Sequence, residues 1–559
     1  MNPNLILKAS MQKLIAGWLL SLALAASAQP LVGTLALTAQ IPDWLYTVRA
    51  GDTLIGIGQR YLMDAGRWPA LQRLNRIADP RHMPPATVLR VPANLLRSTP
   101  GQATLKVVHG NVRWRETSGP WQSATQGQRL SVGSEVQTDD QANAVLELAN
   151  GTRLGLNPGS ILVLDTISLY GDGLMADTRL RLQQGQAEIT DNPARRAQQN
   201  LRVLTPSAQA VVRGTVFRVG VQTNLTREET LSGVVDVGAG GRTVSVAQMQ
   251  GTVARAGEPP LAPRALLAAP DVSALPQRLE QLPLRFALPA APGVVARWGQ
   301  ISPDESFDVI LAEKASQSAF LSVPDLPNGD YILRVRHVDD LGLQGLEARH
   351  RFKVWARPFA PTLEAPVRLA TLRAPRPSLS WIHAVDAARY RVQLATSADF
   401  SAPLADQTVA APHWAANADV PVGNLHWRVA SITATGENGP WSATETFSYK
   451  PAPGQPDLSK AALRFESDAL LLDLAPPPPN QHYQVSISAN ADSAGAAPQH
   501  SSADGQLRLP RPDSGEQFLG VRLVDDEDGT TGPAMLQKIT VPSRYPNLWV
   551  LLIPILFAL

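Results

Sequence analysis

Cysteine is absent from the 559-residue chain, which excludes disulfides, thiolate metal sites, a cysteine nucleophile and the lipidated cysteine of a bacterial lipoprotein. Net charge is nearly absent as well. Basic residues exceed acidic ones by two, and Lys8 and Lys13 in the N-terminal segment account for that excess, so nothing here attracts nucleic acid. Catalytic patterns are also missing. The nine histidines are scattered without an HExxH or HxH spacing, and His383, His413 and His426, which fall in one repeat and could meet in space, read as ordinary surface or core residues. No Gly-x-Ser-x-Gly or Ser-x-x-Lys element stands at a strand-to-helix turn, and no phosphate-cradling glycine loop occurs. The acids of "DDEDGTTG" at Asp525 do not alternate as a calcium loop requires, so this stretch reads as a hairpin turn. No cofactor, metal or enzyme is expected.

Long apolar runs occur only at the two ends. Near the start, Lys8 and Lys13 precede "LIAGWLLSLALAA" and the small residues "ASA", the three regions of a signal peptide over 1–28, with Met1 or Met11 as the start. This implies export to the periplasm. The tail at 546–559, "PNLWVLLIPILFAL", is too short and too interrupted by Pro554 for a full span. Two placements remain for it: a shallow membrane contact with Trp549 at the interface, or docking on the protein itself. In between, 47 prolines and 40 glycines separate short runs of Val, Leu, Ile, Tyr and Phe. That pattern predicts short strands, and the length predicts about three to five domains. The expected fold is mainly β and multidomain.

Tyr46 to Pro92 predicts a βααβ unit. Tyr46 and Val48 alternate as in a strand, Asp52 or Thr53 can cap a helix carrying Leu54, Ile57 and Tyr61, and Pro69 suits the first turn of a second helix. "YTVRAGDTL", "LQRLN" and "LRVP" make the segment, 44–96, resemble the lysin motif (LysM). The resemblance implies binding of N-acetylglucosamine chains, hence peptidoglycan. It places the groove between Gly51, Asp52, Thr53 and Leu54 on one loop and Ile77, Ala78, Asp79 and Pro80 on the other. Gly58 stands where the family usually has alanine, and Pro84-Pro85 where a glycine is common.

From 103 to 254 the pattern is unbroken β, with turns at Gly110-Asn111, Asn150-Gly151 and Gly185-Gln186, as in a sandwich, barrel or roll. "GQRLSVGSEVQTDDQANAVLELANGTRLGLNPGS" and "VLTPSAQAVVRGTVFRV" make this domain resemble the periplasmic part of the FecR family. The triplet Arg213, Gly214, Thr215 lies within an otherwise apolar run. Either Arg213 is buried against a carboxylate, with Glu135, Glu147, Glu188, Glu229 and Asp236 as candidates, or Gly214 forms a bulge that turns it outward. Thr215 fits as a β-former bonding nearby backbone. No base, nucleophile or ligand cluster accompanies the triplet, which favours a structural role over a catalytic or ligand-binding one.

A Pro-rich linker, 255–278, precedes three repeats at 279–356, 359–450 and 455–542. "QISPDESF" and "QLATSADF" are offset by 93 residues, and Gly329, Gly423 and Gly515 align. A period of this length fits a β-sandwich, and Trp381 and Tyr390 resemble core aromatics of fibronectin type III or related Ig-like domains. Together these features lead us to expect a non-enzymatic, cell-wall-associated envelope protein. Its partners would be peptidoglycan and an unidentified envelope or membrane protein. The alternatives are a FecR-type signalling accessory and a cell-wall hydrolase with an unrecognised site.

Overall fold

The computed structural model describes residues 41–190, 198–212, 214–374, 376–416, 420–493 and 499–544. The leader at 1–28, the tail at 546–559 and Arg213 lie outside the described residues. The chain forms two compact units, Met1–Val354 and Trp355–Leu559. Strand dominates both.

The first unit opens with the expected βααβ order. Strand Trp44–Thr47 pairs antiparallel with Val88–Val91 around helices Leu54–Tyr61 and Trp68–Asn75. Thr53 caps the first helix by accepting the Gly56 amide at 3.0 Å, satisfying one of the helix's unpaired donors. Gly58 allows close packing, since a Cβ there would sit a tight 3.1 Å from both the Ala65 carbonyl and the Trp68 side chain. After Pro84-Pro85 the turn is made by Ala86, at φ +68°. The module does not close its own core. Trp44, Tyr46 and Tyr61 pack edge to face or tilted, and their cluster is completed by Tyr170 and Met175 of the following domain. Those two residues flank a hairpin tip at Gly171, where a Cβ would lie 2.9 Å from the Trp44 ring.

The following domain is all β, with eighteen strands among the described residues in a hydrogen-bonded path that closes on itself. The 16-residue strand Met175–Thr190 serves both of its sheets. Its first part pairs with Ile161–Tyr170 and, in parallel, with Gln198–Leu204, and its last part pairs with Arg153–Leu156 and Val216–Gln222. Gly185, expected to mark a turn, instead kinks this strand at φ +84°, pressed against Ser160. The run around Gly214 crosses between sheets in a similar way. Gln209–Val212 pairs with Leu201–Leu204 and Val234–Ala239, whereas Val216–Gln222 pairs with Leu225–Ser232 in the other sheet. Between them Gly214 takes φ +66°.

The first sandwich follows, with a five-stranded sheet built on Gly329–Val338 and Gln344–Val354 and a two-stranded partner. Segment 255–278 is not a free spacer here. Arg264–Ala265 pairs with Gln250–Arg255 of the all-β domain, and the Leu346 amide donates to the Leu267 carbonyl at 2.8 Å. Gly345 permits that crossing, because a Cβ would fall 2.5 Å from the Leu267 carbonyl oxygen.

The second unit repeats the device twice. Gly439 meets the Pro358 carbonyl, and Gly532 the Pro453 carbonyl. Trp381 and Tyr390 are buried in the first of its two cores, with ring centroids 5.5 Å apart. Asp525 sits in a tight turn closed by the Thr530 carbonyl. Its carboxylate is held by Arg373 at 3.2 Å and Lys450 at 3.0 Å from the preceding sandwich.

Candidate functional site

The two loops expected to bind glycan lie side by side, joined by a hydrogen bond from the Leu54 amide to the Pro80 carbonyl at 2.9 Å. Gly51 is exposed at φ +88° with open space around it. The Asp52 carboxylate is engaged internally, accepting the Tyr46 hydroxyl at 2.5 Å and the Arg49 amide at 2.7 Å. Burial and then that carboxylate push the Tyr46 phenol upward. Thr53 Oγ1 is used as the helix cap, and the Leu54 side chain is fully buried. On the second loop Ala78 and Asp79 are exposed, while Ile77 and Pro80 are half-buried. Asp79 accepts the Arg81 amide at 2.8 Å, and that bond, then His82, holds its carboxyl below the usual range. The polar groups of both loops thus fix loop shape, which leaves the Gly51 and Ala78 surfaces as the open part.

A second constellation lies where the all-β domain meets the first sandwich. Cross-strand pairing sets Gly155, Glu188, Arg218, Glu229 and Gly251 in one row across the sheet. The row therefore alternates in charge between two glycines, which leave room for a facing sheet. Arg218 is fully buried. Its Nε lies 3.1 Å from Glu229 Oε2, and its Nη2 donates to the Gln344 and Gly345 carbonyls at 2.7 and 3.0 Å. The facing sandwich supplies Arg334 and Arg336, whose guanidinium groups approach Glu188 at 3.4 and 3.3 Å and Glu347 at 3.7 and 2.9 Å. Arg334 stacks on Phe307 at 4.4 Å and Arg336 on Trp298 at 4.7 Å.

Burial would push the Glu188 carboxyl up, but Arg336, Arg334 and Arg218 outweigh it and hold it at about 2. Burial, and then the like charge of Arg336, press Arg218 down to about 10. A cavity of about 240 Å³ opens beside Glu188, lined by Arg153, Asp308 and Arg334 as well as by the apolar Val145, Phe307 and Ile310. Arg153 grips both Asp308 oxygens at 2.8 and 2.9 Å across the same interface.

Residues 46–92 match the LysM domain family, and residues 134–236 match the FecR protein family. The chain carries a LysM domain followed by a FecR domain. Both families are binding or regulatory modules typical of periplasmic or envelope proteins. No curated protein matches the chain. Among solved structures, a protein from Parabacteroides distasonis described as an anti-sigma factor aligns at 16% identity and TM-score 0.20, over 23% of this chain and 59% of its own length. The FN1–FN3 domains of chicken CNTN1 align at 14% identity and TM-score 0.22, over 50% of this chain and 99% of theirs. The chicken interferon gamma receptor alpha chain aligns at 14% identity and TM-score 0.21, over 33% and 98%.

Within the FecR domain the five carboxylates proposed as partners of Arg213 all have other contacts. Glu135 pairs with Arg115 at 2.6 Å, Glu147 with Lys106 at 3.5 Å, and Asp236 accepts the Ser245 hydroxyl. Glu188 and Glu229 belong to the row centred on Arg218. Thr215 is buried, and its hydroxyl has no hydrogen-bond partner among the described residues; its methyl group instead packs against Gly233. Sequence reasoning missed Arg218, Arg334 and Arg336. Each stands in a β run beside apolar neighbours, and a buried guanidinium leaves no more signal than an exposed one until the opposing sheet is known. His383 bonds Tyr390, and His426 bonds Thr446. Among the described residues no group of three or more His, Asp or Glu could hold a metal ion, and no helix is long and apolar enough to cross a membrane.

Glu228 points to the other side of its strand from Glu229, into the FecR core, where it accepts the Thr230 hydroxyl at 2.8 Å, its one hydrogen-bond partner among the described residues. Burial drives its carboxyl well above 4.5. A raised carboxyl contributes full stability below the unfolded value and loses it as pH climbs towards the folded one. Glu228→Gln should therefore melt a few degrees higher than the parent at about pH 8, and the gap should close below pH 4.5. Paired thermal melts across pH check this.

Proposed function

We propose that the protein is a non-enzymatic periplasmic scaffold, exported by its N-terminal signal, that holds peptidoglycan through its LysM loops and offers its β domains to a protein partner. The observation that carries this reading is the shared core of LysM and FecR through Tyr170 and Met175. A glycan bound at the Gly51 and Ala78 surfaces would fix the FecR domain at the wall rather than on a tether. Charge supports the ligand class. Between residues 43 and 97 there are eight arginines, four aspartates and no lysine or glutamate, a local positive excess suited to the stem-peptide carboxylates of peptidoglycan.

Deleting residues 46–92 would expose Tyr170 and Met175, so a point change tests the reading more cleanly. Ala78→Trp fills the open loop surface without touching the core. It should lower co-sedimentation of the mature protein with purified sacculi about tenfold at unchanged melting temperature. Parental levels of sedimentation would sink the assignment. The FecR match itself favours a second reading, an accessory that relays envelope state to a membrane partner; co-purification of a sensor through the FecR domain would support it. Release of muropeptides by the purified protein would instead point to a hydrolase.

A further inference from the structure

The second sandwich repeats part of the side-chain apparatus with which the first grips the FecR sheet. Gln300, Phe307 and Glu313 recur 93 residues later as Gln393, Phe400 and Asp406, and Arg334 recurs 94 residues later as Arg428. Strand pairing confirms the equivalence: Gln300 opposes Arg334 and Glu313, and Gln393 opposes Arg428 and Asp406. Phe307 and Phe400 share a left-handed φ of 54°. Each presents its ring to the arginine, at 4.4 Å in the first sandwich and 4.0 Å in the second. Each arginine's Nε donates to its glutamine, at 3.2 and 2.9 Å.

The two faces differ in what covers them. In the first sandwich the Arg334 and Arg336 side chains are 7% and 0% exposed beneath Glu188. In the second, Arg391 is 43% exposed, Arg428 is half-buried, and no carboxylate lies within ion-pair distance of Arg428 among the described residues. Trp441 replaces the carboxylate of Glu347 and lies against both arginines, at 5.5 and 4.5 Å. Of the first face's two arginines only Arg334 has a counterpart, because Ala430 stands in the register place of Arg336, and Arg391, paired with Asp406 at 2.6 Å, in that of Trp298. The face thus presents Arg428 without an acid partner among the described residues, beside a half-buried aromatic. Arginine and tryptophan are the residue types that dominate binding energy in interfaces.

We propose that this face of the second sandwich is a docking surface for a partner protein whose β-sheet presents a row of carboxylates, as the FecR sheet presents Glu188 and Glu229 to the first sandwich. The proposal rests on the scaffold reading above and names the chemistry of its protein partner.

Thr408 is exposed and directly opposite Arg391, so benzoylphenylalanine placed there in the full-length chain reports what covers the face in intact cells. The expected result is a discrete adduct to another protein, mapping by mass spectrometry to a strand with acidic residues at alternate positions. Its yield should fall about tenfold in the Arg391→Glu, Arg428→Glu double variant. The Arg391→Gln, Arg428→Gln variant guards against misfolding and should lose the adduct at unchanged melting temperature. An adduct to glycan, lipid or a second copy of this chain, an adduct indifferent to both double variants, or no adduct would overturn the proposal. Sacculus sedimentation of the same variants separates the two readings: intact sedimentation without the protein adduct refutes the docking face alone.

Discussion

Arg218→Met should destabilise the body formed by the FecR domain and first sandwich by about 3–5 kcal/mol, the range for breaking one side of a buried ion pair. The guanidinium is fully buried, and its loss strips donors from the Gln344 and Gly345 carbonyls. It also leaves Glu229, itself buried, with the Gln344 amide at 2.8 Å as its remaining close partner. By contrast, Arg181→Met removes an ion pair to Asp165 whose arginine is 48% exposed, and should cost no more than about 1 kcal/mol. The pH dependence carries a sign. Burial already raises the Glu229 carboxyl, against Arg218, so removing Arg218 raises it further. The penalty is then largest near neutral pH and shrinks as Glu229 protonates on acidification. Glu188 acts in the opposite direction. Its depressed carboxyl contributes stability above 4.5 that is lost as pH falls towards about 2. Denaturant titrations of the variants at neutral and mildly acidic pH check both signs, and Arg218→Met with Glu229→Gln should recover part of the loss. A single variant as stable as the parent would show that the buried row contributes nothing.

The mainly β class, the βααβ module and the repeat offset were legible because they rest on local periodicity and on motifs that recur in sequence. A guanidinium paired to Glu229 is found at Arg218, whereas Arg213 lies outside the described residues. Simple alternation through this run assumes one continuous strand. Gly214 at φ +66° ends that strand and moves the chain to the second sheet. The phase therefore slips, and Val212 and Phe217, an odd number of residues apart, both enter the core. A one-residue slip exchanges every side chain between faces, so Arg218 turns towards the sandwich. The approach of Leu267 to Gly345 was illegible for a related reason. A proline-rich stretch reads as a linker whether it is solvated or laid across a glycine of the next domain.

Trp44→Ala should cost about 3–5 kcal/mol, as for other buried tryptophans, and should weaken sacculus binding although Trp44 belongs to neither loop. The ring touches Tyr46 and Tyr61, each with centroids 5.0 Å away, and covers Gly171 of the FecR hairpin. Tyr46 in turn positions Asp52, which shapes the first loop. Truncation would thus empty the centre of the shared core and loosen loop and hairpin together. Gly171→Ala reaches the same joint from the other side. Its φ of 58° and the 2.9 Å approach to Trp44 make even a methyl group costly there, by about 1–3 kcal/mol. Ala78→Trp separates binding from folding, because it should lower sedimentation about tenfold and leave the melt unchanged. If Trp44→Ala melts the LysM domain while the hydrogen-exchange protection of Ile161–Tyr170 stays at the parental level, the two domains fold independently and the rigid joint at the wall is refuted.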